Sequence, residues 1–398
     1  MRFSERSNWN TEESELARAH RLRVAAGLPI ADLTASNPTR CGFAYDPELL
    51  AALTDPQALD YDPQPRGLES ARQAVCTYYA DHGVALTPEQ ILLTTSTSEA
   101  YSFLFRLLCD PGSEILVAQP GYPLFDFLAT LDDVTIKASP LVYDHGWQID
   151  TEGLRQAITP RTRAIVLVHP NNPTGHFTKQ WEAKELARLC LDFDLALIVD
   201  EVFLDFSFGA AAQSFAAGLY GVPVFVVSGL SKIAGLPQMK TAWIVTAGPE
   251  ACAALDRLEV IADTFLSMNA PVQCALPAWL EGRATIQRQI QARVAANLAK
   301  LDQQLAQLPA VNRLEVEGGW YALLRIPALQ RDEQTVLALL QLGVWVHPGY
   351  FFGLKDSGWL VVSLLTLERE FCRGIALLVD YLHALTPASI ALRTHLTV

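Results

Sequence analysis

The sequence carries little positive charge and lacks the features of several protein classes. Its 398 residues include 30 Lys and Arg against 43 Asp and Glu, for a net charge of -13. No basic run could follow a phosphate backbone, so we expect no nucleic-acid partner. No uncharged apolar window of about 18 residues occurs, and residues 1–10 are polar, so we expect no membrane span and no signal peptide. Seven cysteines without CxxC or zinc-like spacing predict reduced thiols, a cytoplasmic location and no metal site.

Three phosphate or nucleophile motifs of α/β proteins are also missing. No two of the 23 glycines stand two positions apart, which excludes the GxGxxG loop of dinucleotide-binding folds. The sequence contains neither a Walker A loop nor a GxSxG nucleophile elbow. Any cofactor must therefore be held in another way.

What the sequence does contain, from about residue 44 to 248, is an alternation of helical segments with short apolar runs. The runs predict seven strands: Gln90–Thr95, Glu114–Ala118, Val134–Lys137, Arg163–His169, Leu195–Val199, Val224–Ser228 and Thr241–Thr246. Such alternation is typical of an α/β layer with a mostly parallel sheet. Beyond Pro277, residues 278–308 predict one long connecting helix, and the strands and helices that follow predict a smaller α+β unit.

Polar residues follow several of the predicted strands. Ser96, Thr97 and Ser98 open a helix expected to begin near Glu99, and its free N–H groups favour a phosphate. Taken alone, they are better explained as an ordinary N-cap, since such caps are the commonest helix starts. The segment from His169 to Gly175, which contains Asn172, follows another strand. A plain turn would explain its composition but not the placement of this Asn-Asn-Pro-Thr-Gly string at a strand end.

A carboxylate and an amine complete the pattern. Asp200 and Glu201 end one apolar strand, where a buried carboxylate needs a cationic partner. Lys232 follows another strand in a Ser/Gly-rich turn, and a lysine with a lowered pKa there can form a Schiff base. An anion site, a carboxylate and an amine at one sheet edge match the phosphate, ring nitrogen and aldehyde of pyridoxal phosphate.

These motifs, in this order, resemble the class I and II, aspartate-aminotransferase-like (fold type I) family of pyridoxal-phosphate enzymes. The similarity runs from about Asp32 to the C-terminus. It rests on Asn37-Pro38, Tyr61 followed by Gly67, Thr95–Ala100, Pro120 to Pro123, Asn171–Gly175, Asp200 to Val202, Ser231-Lys232 and Pro348-Gly349. It implies a large domain (45–277) around a mostly parallel seven-stranded sheet of the type found in pyridoxal-phosphate (PLP) transferases. It also implies a small α+β domain built from both chain ends (1–44 and 278–398).

The resemblance also implies a role for each matching residue. Lys232 would hold the cofactor's aldehyde and Asp200 would pair with its ring nitrogen. Further cofactor contacts would come from Ser96, Thr97, Ser98, Tyr122, Asn172, Phe203, Ser231 and Lys240. The expected substrates are a small-molecule amino donor and a 2-oxo acid acceptor. A homodimer is expected, in which Tyr61 serves the neighbouring site.

Three positions depart from the family pattern. Phe203 stands where a tyrosine usually bonds the ring oxygen, and Lys240 stands where an arginine usually grips the phosphate. Val361 stands where an arginine usually clamps the substrate carboxylate. Near Asn37, which the resemblance places by the substrate, Arg40 or Lys355 could replace that cation, or the substrate is not an ordinary α-amino acid.

The leading hypothesis is an aminotransferase. Other pyridoxal-phosphate chemistry, such as that of a lyase, a decarboxylase or an oxidase, uses the same anchors and stays open at this point. A non-catalytic pyridoxal-phosphate-binding protein is the third alternative, and the intact Lys232 argues against it.

Overall fold

The computed structural model describes residues 1–209, 213–266 and 268–385. Within those ranges the strands are β1 (Ala31–Asp32), β2 (Ile91–Thr94), β3 (Glu114–Gln119), β4 (Thr135–Tyr143), β5 (Trp147–Ile149), β6 (Thr162–Val168), β7 (Ala196–Asp200), β8 (Val224–Gly229), β9 (Ala242–Ala247), β10 (Asn312–Arg313), β11 (Tyr321–Arg325), β12 (Val344–Trp345), β13 (His347–Pro348) and β14 (Trp359–Ser363). The helices are α1 (Glu15–Ala25), α2 (Glu69–Asp81), α3 (Thr97–Leu108), α4 (Phe125–Leu131), α5 (Thr151–Ala157), α6 (Gln180–Phe193), α7 (Leu230–Ile233), α8 (Ala251–Thr264), α9 (Ala270–Gly282), α10 (Ala284–Leu305), α11 (Asp332–Gln341) and α12 (Glu368–Leu385).

The central sheet has the strand order β2-β9-β8-β7-β6-β3-β4-β5. The five strands β4, β3, β6, β7 and β8 run parallel, while β9 and β5 run antiparallel to their neighbours. The predicted α/β fold with a mostly parallel sheet is confirmed, but the sheet has eight strands rather than seven. The extra strand, β5, exists because β4 continues beyond its predicted end to Tyr143 and pairs there with the returning chain.

Alternate residues of the inner strands pack on opposite faces of this sheet. On β7, Leu197 and Val199 join the apolar cluster that contains helices α2, α6 and α9. Ile198 points the other way, into the cluster with α3, α4 and α8. Burial on both faces explains why these strands are continuous apolar runs, since each fully buried Val, Leu or Ile contributes about 1.5–3 kcal/mol.

A second sheet is antiparallel and has the strand order β10-β11-β14-β13. Strand β1, near the start of the chain, pairs in parallel with β12, so residues 31–32 lie beside residues 344–345. Helices α10, α11 and α12 share the apolar cluster under these strands. The division into domains 45–277 and 1–44 plus 278–398 stays a prediction.

The single helix predicted over residues 278–308 is wrong, because two helices meet at Arg283. Helix α9 runs through Pro277, which should break it at a cost of about 3 kcal/mol. The fully buried side chains of Leu276, Trp279 and Leu280 offset that cost. No helix in the described ranges is both long enough and apolar enough to cross a membrane.

Candidate active site

The strands of the central sheet bring the predicted site residues to one edge. Asp200 is the last residue of β7, and Lys232 lies in the short helix α7 directly after β8. Because β7 and β8 are parallel, their carboxyl ends meet at the same edge. Gly229 fits between the strands there, because a Cβ atom on it would come within 2.8 Å of the Thr241 carbonyl oxygen.

Asp200 and Lys232 are close enough for each charge to affect the other. Asp200 is 7% exposed. Burial raises the pKa of its carboxyl group from 3.8 to about 6, against the opposing effects of the Val202 N–H, the Tyr101 hydroxyl and the Lys232 charge. Burial lowers the pKa of the Lys232 amine, and Asp200 partly offsets this. The pair therefore combines a proton-accepting amine with a carboxylate that is costly to leave without a cation.

Two residues that the sequence analysis did not single out contact this pair. Tyr101, on α3, donates its hydroxyl to Asp200 Oδ2 at 3.0 Å. The Trp320 ring centroid lies 5.3 Å from Lys232 Nζ, and the Phe203 ring lies at 5.9 Å. The two rings meet edge to face, 5.2 Å apart, and form an aromatic wall beside the amine.

The amino end of helix α3 also lies at this edge. Ser96 is the N-cap, and its hydroxyl accepts from the Glu99 N–H at 3.2 Å. The helix begins at Thr97, two residues earlier than predicted, so Thr97 and Ser98 lie in its first turn. Strands β2 and β9 pair Thr94 with Ala242. Lys240 ends the turn Pro237–Met239, two residues before β9, whose first residue pairs with Gly229 at the end of β8.

Two further polar atoms in this region have no hydrogen-bond partner within the described part of the chain. They are Asn172 Oδ1, in the loop after β6, and Ser228 Oγ near the end of β8; both residues are buried. Ser231 lies in α7 beside Lys232. Tyr122 follows β3, and its ring centroid lies 6.4 Å from that of Phe125. Buried polar atoms without partners are rare in folded proteins and indicate a polar group that completes the site.

A network of ion pairs ties this loop to the segment before β11. The Glu317 carboxylate pairs with Lys179 and accepts from the Phe177 N–H at 3.0 Å. His176 lies 3.1 Å from Glu182 and 3.5 Å from Glu317. Although burial opposes the shift, His176 and Lys179 lower the pKa of Glu317 to about 2. Trp320 follows Glu317 by three residues, so the chain segment that leads to it is joined to the loop that carries Asn172.

The residues predicted to contact the substrate differ in burial. Val361, on β14, is fully buried and belongs to the same apolar cluster as Leu323 and Phe352. Arg40 and Lys355 are exposed in two separate loops. Asn37 is exposed as well, and its side chain caps the turn that ends at Arg40.

The arrangement fits pyridoxal phosphate. The Lys232 amine, the Asp200 carboxylate and the helix end at Ser96 are the three groups that its aldehyde, ring nitrogen and phosphate require. The orphaned Asn172 oxygen supplies a further polar contact at the same edge.

The model of the family "Aminotransferase class I and II" matches residues 47–372 of the chain. The chain belongs to the class I and II aminotransferases. It is therefore a pyridoxal-phosphate-dependent transaminase.

Individual aminotransferases are similar along most of their length. The chain is 27% identical to the glutamate-pyruvate aminotransferase AlaA of Haemophilus influenzae, over 89% of this chain and 92% of that protein. It is 28% identical to an alanine aminotransferase of Mycobacterium bovis, over 91% and 88%. The solved alanine aminotransferase of Pyrococcus furiosus superposes with a TM-score of 0.88 at 23% identity, covering 96% of this chain and all of that one. The last similarity supports the aminotransferase fold.

Proposed function

We propose that Lys232 and Asp200 are the catalytic residues of this aminotransferase. The observation that carries the proposal is that a half-buried amine and a buried carboxylate affect each other's charge at the sheet edge. The lowered pKa of Lys232 suits an amine that both binds an aldehyde and passes a proton at Nζ. Asp200 supplies the negative charge that a protonated ring nitrogen requires.

When bound, pyridoxal phosphate supplies an electron sink for the amino group's carbon. The chain's own residues would orient it. Tyr122 would cover one face of the ring, and Asn172 would contact the ring oxygen. Phe203 offers no hydroxyl at that oxygen, so Asn172 carries this contact without the usual tyrosine.

We propose that the amino end of α3 holds the phosphate. The helix offers the free N–H groups of its first turn and the hydroxyls of Ser96, Thr97 and Ser98. Lys240, two residues before the start of β9 at the same sheet edge, would add an ammonium group. A lysine retains the charge of the family's arginine but not its two-pronged geometry.

We propose that an amino donor and a 2-oxo acid bind with their carboxylates away from position 361. Val361 is buried in an apolar cluster and carries no charge. The exposed cations Arg40 and Lys355 are the two candidates to hold a carboxylate. Without one of them, the favoured amino donor is an amine that has no α-carboxylate.

We also propose a homodimer in which Tyr61 reaches the neighbouring site. Leu59, Tyr61 and Leu266 are 90%, 78% and 70% exposed. Arg66 pairs with Glu259 of α8 at 2.5 Å, so the Tyr61 loop lies beside the helix that precedes Leu266. An apolar surface of this kind favours burial against a second copy. The seven unpaired thiols support a reducing, cytoplasmic location.

Borohydride reduction followed by peptide mass spectrometry tests the central assignment. Reduction fixes pyridoxal phosphate covalently to the amine that holds it. We expect the label on Lys232 in the wild type and none in Lys232→Ala, while Lys300→Ala, which changes an exposed lysine, labels normally. A label on another lysine in Lys232→Ala would refute the assignment.

A further inference from the structure

The Tyr101 hydroxyl gives the second oxygen of the Asp200 carboxylate a hydrogen-bond donor. Asp200 Oδ1 accepts from the Val202 N–H at 3.0 Å, and Oδ2 accepts from the Tyr101 hydroxyl at 3.0 Å. Tyr101 is 3% exposed, so water cannot easily replace its hydroxyl. Together the two bonds fix the rotation of the carboxylate about its own axis.

Helix α3 couples this contact to the opposite end of the site. Tyr101 follows Thr97 by four residues, so both project from the same side of the helix. The Tyr101 ring meets the Phe125 ring edge to face at 4.9 Å. Phe125 begins α4, three residues after Tyr122. Tyr101 therefore contacts both the carboxylate and the first residue of α4, and it lies on the same helix as the proposed phosphate-binding turn.

We propose that Tyr101 is a positioning residue for transamination, whose hydroxyl holds the Asp200 carboxylate in its charged form and in the orientation that meets the ring nitrogen. The inference rests on the proposed function of Asp200. The bond contributes to function because a carboxylate with one free oxygen could rotate away from the ring or take up a proton. Tyrosine suits the position because it donates a hydrogen bond without adding charge.

The groups whose charges act on Asp200 come from several elements. They are Lys232, Tyr101, Tyr122, Tyr79 and Glu201. Of these, Tyr101 and Lys232 favour the charged carboxylate. Loss of the Tyr101 hydroxyl leaves Lys232 as the remaining side chain of this set that stabilises the charge.

The chain offers a matched control. Tyr78, on α2, is 1% exposed and donates its hydroxyl to Asp205 Oδ2, also at 3.0 Å. Tyr78→Phe removes the same kind of bond from an equally buried tyrosine, but from a carboxylate outside the proposed site. A merely structural cost of losing a hydroxyl should affect both variants.

The experiment measures pyridoxal-phosphate affinity of the cofactor-free protein between pH 5.5 and 8, together with the acid limb of kcat/KM. We expect Tyr101→Phe to shift the acid limb upward by about one pH unit, and to weaken cofactor binding about tenfold at pH 6 with a smaller effect at pH 8. Tyr78→Phe should leave both profiles where they are. Unchanged profiles in a folded Tyr101→Phe protein would overturn the proposal.

Two additional variants show which of the two proposals is wrong if the expected result is not obtained. If Asp200→Asn keeps its affinity and turnover, the proposed role of Asp200 fails. If Asp200→Asn loses them while Tyr101→Phe behaves as wild type, the inference about Tyr101 fails alone. Should Tyr101→Phe not fold, fluorotyrosine at position 101 keeps the shape and donates more strongly. Its acid limb should move to lower pH, and an unmoved limb would again overturn the proposal.

Discussion

The buried charge of Asp200 should cost the cofactor-free protein stability, and Asp200→Asn should remove that cost. The carboxyl group has a pKa of about 6 in the folded chain and an ordinary value of 3.8. A raised folded pKa means that the folded chain binds the proton more tightly than the unfolded chain. The destabilisation is thus absent well below pH 3.8, grows as the pH rises between the two pKa values, and levels off above pH 6.

The size of the effect follows from the two pKa values. A difference of about 2 pH units corresponds to about 3 kcal/mol, of which about two thirds develops between pH 4.5 and 7. The asparagine amide can accept from only one of the two donors, Tyr101 and the Val202 N–H, and this adds a separate cost. That second cost does not depend on pH, so it cancels when the same pair of proteins is compared at two pH values.

Urea unfolding of the cofactor-free proteins at constant ionic strength is the suitable assay, because urea is uncharged and does not screen the carboxylate. From pH 4.5 to 7, the free energy of unfolding of the wild type should fall by about 2 kcal/mol relative to Asp200→Asn. Glu201→Gln provides a comparison, because burial raises the pKa of Glu201 to about 7 and its step should lie at higher pH. A difference between wild type and Asp200→Asn that stays constant over this range would refute the reasoning.

Three other predictions concern the substrate and the assembly. Val361→Arg should lower Tm relative to Val361→Leu, because it places a guanidinium among buried apolar side chains. An unchanged Tm together with tenfold tighter alanine binding would instead show that the position is open to substrate. Of Arg40→Ala and Lys355→Ala, the variant that removes the carboxylate contact should raise KM for an α-amino acid about tenfold or more without changing kcat; if neither does, the favoured donor lacks an α-carboxylate. Tyr61→Ala should weaken cofactor binding in a protein that sediments as a dimer, and a fully active wild-type monomer would contradict the shared site.

The central sheet could be predicted from the sequence because strands buried on both faces leave continuous apolar runs. All seven predicted strands are present. Strand β5 was missed because it has three residues and depends on the extension of β4, which no local pattern marks. The two helices at Arg283 were merged because amphipathic spacing does not show where one helix axis gives way to another.

The site was predictable where its residues follow strands, as Asp200 and Lys232 do. Tyr101 and Trp320 gave no such signal, since an aromatic residue within a helix or strand usually packs in a core. Tyr101 could have been noticed from its position one turn after Thr97, on the side that carries the hydroxyls. Trp320 could not, because its approach to Lys232 is a tertiary contact between residues more than 80 positions apart in the sequence.

The ion pairs of Glu317 matter to anyone who wishes to change which compounds this enzyme accepts. They join two chain segments that are remote in sequence. Trp320, one of the two rings beside Lys232, comes directly after one of these segments. Lys179, which is only half-buried, pairs with Glu317 three residues before Trp320, so a change at position 179 or 317 acts on the chain segment that leads to Trp320. A directed-evolution library confined to the residues that line the cleft would leave this ion pair unchanged, whereas one that includes positions 179 and 317 would vary it.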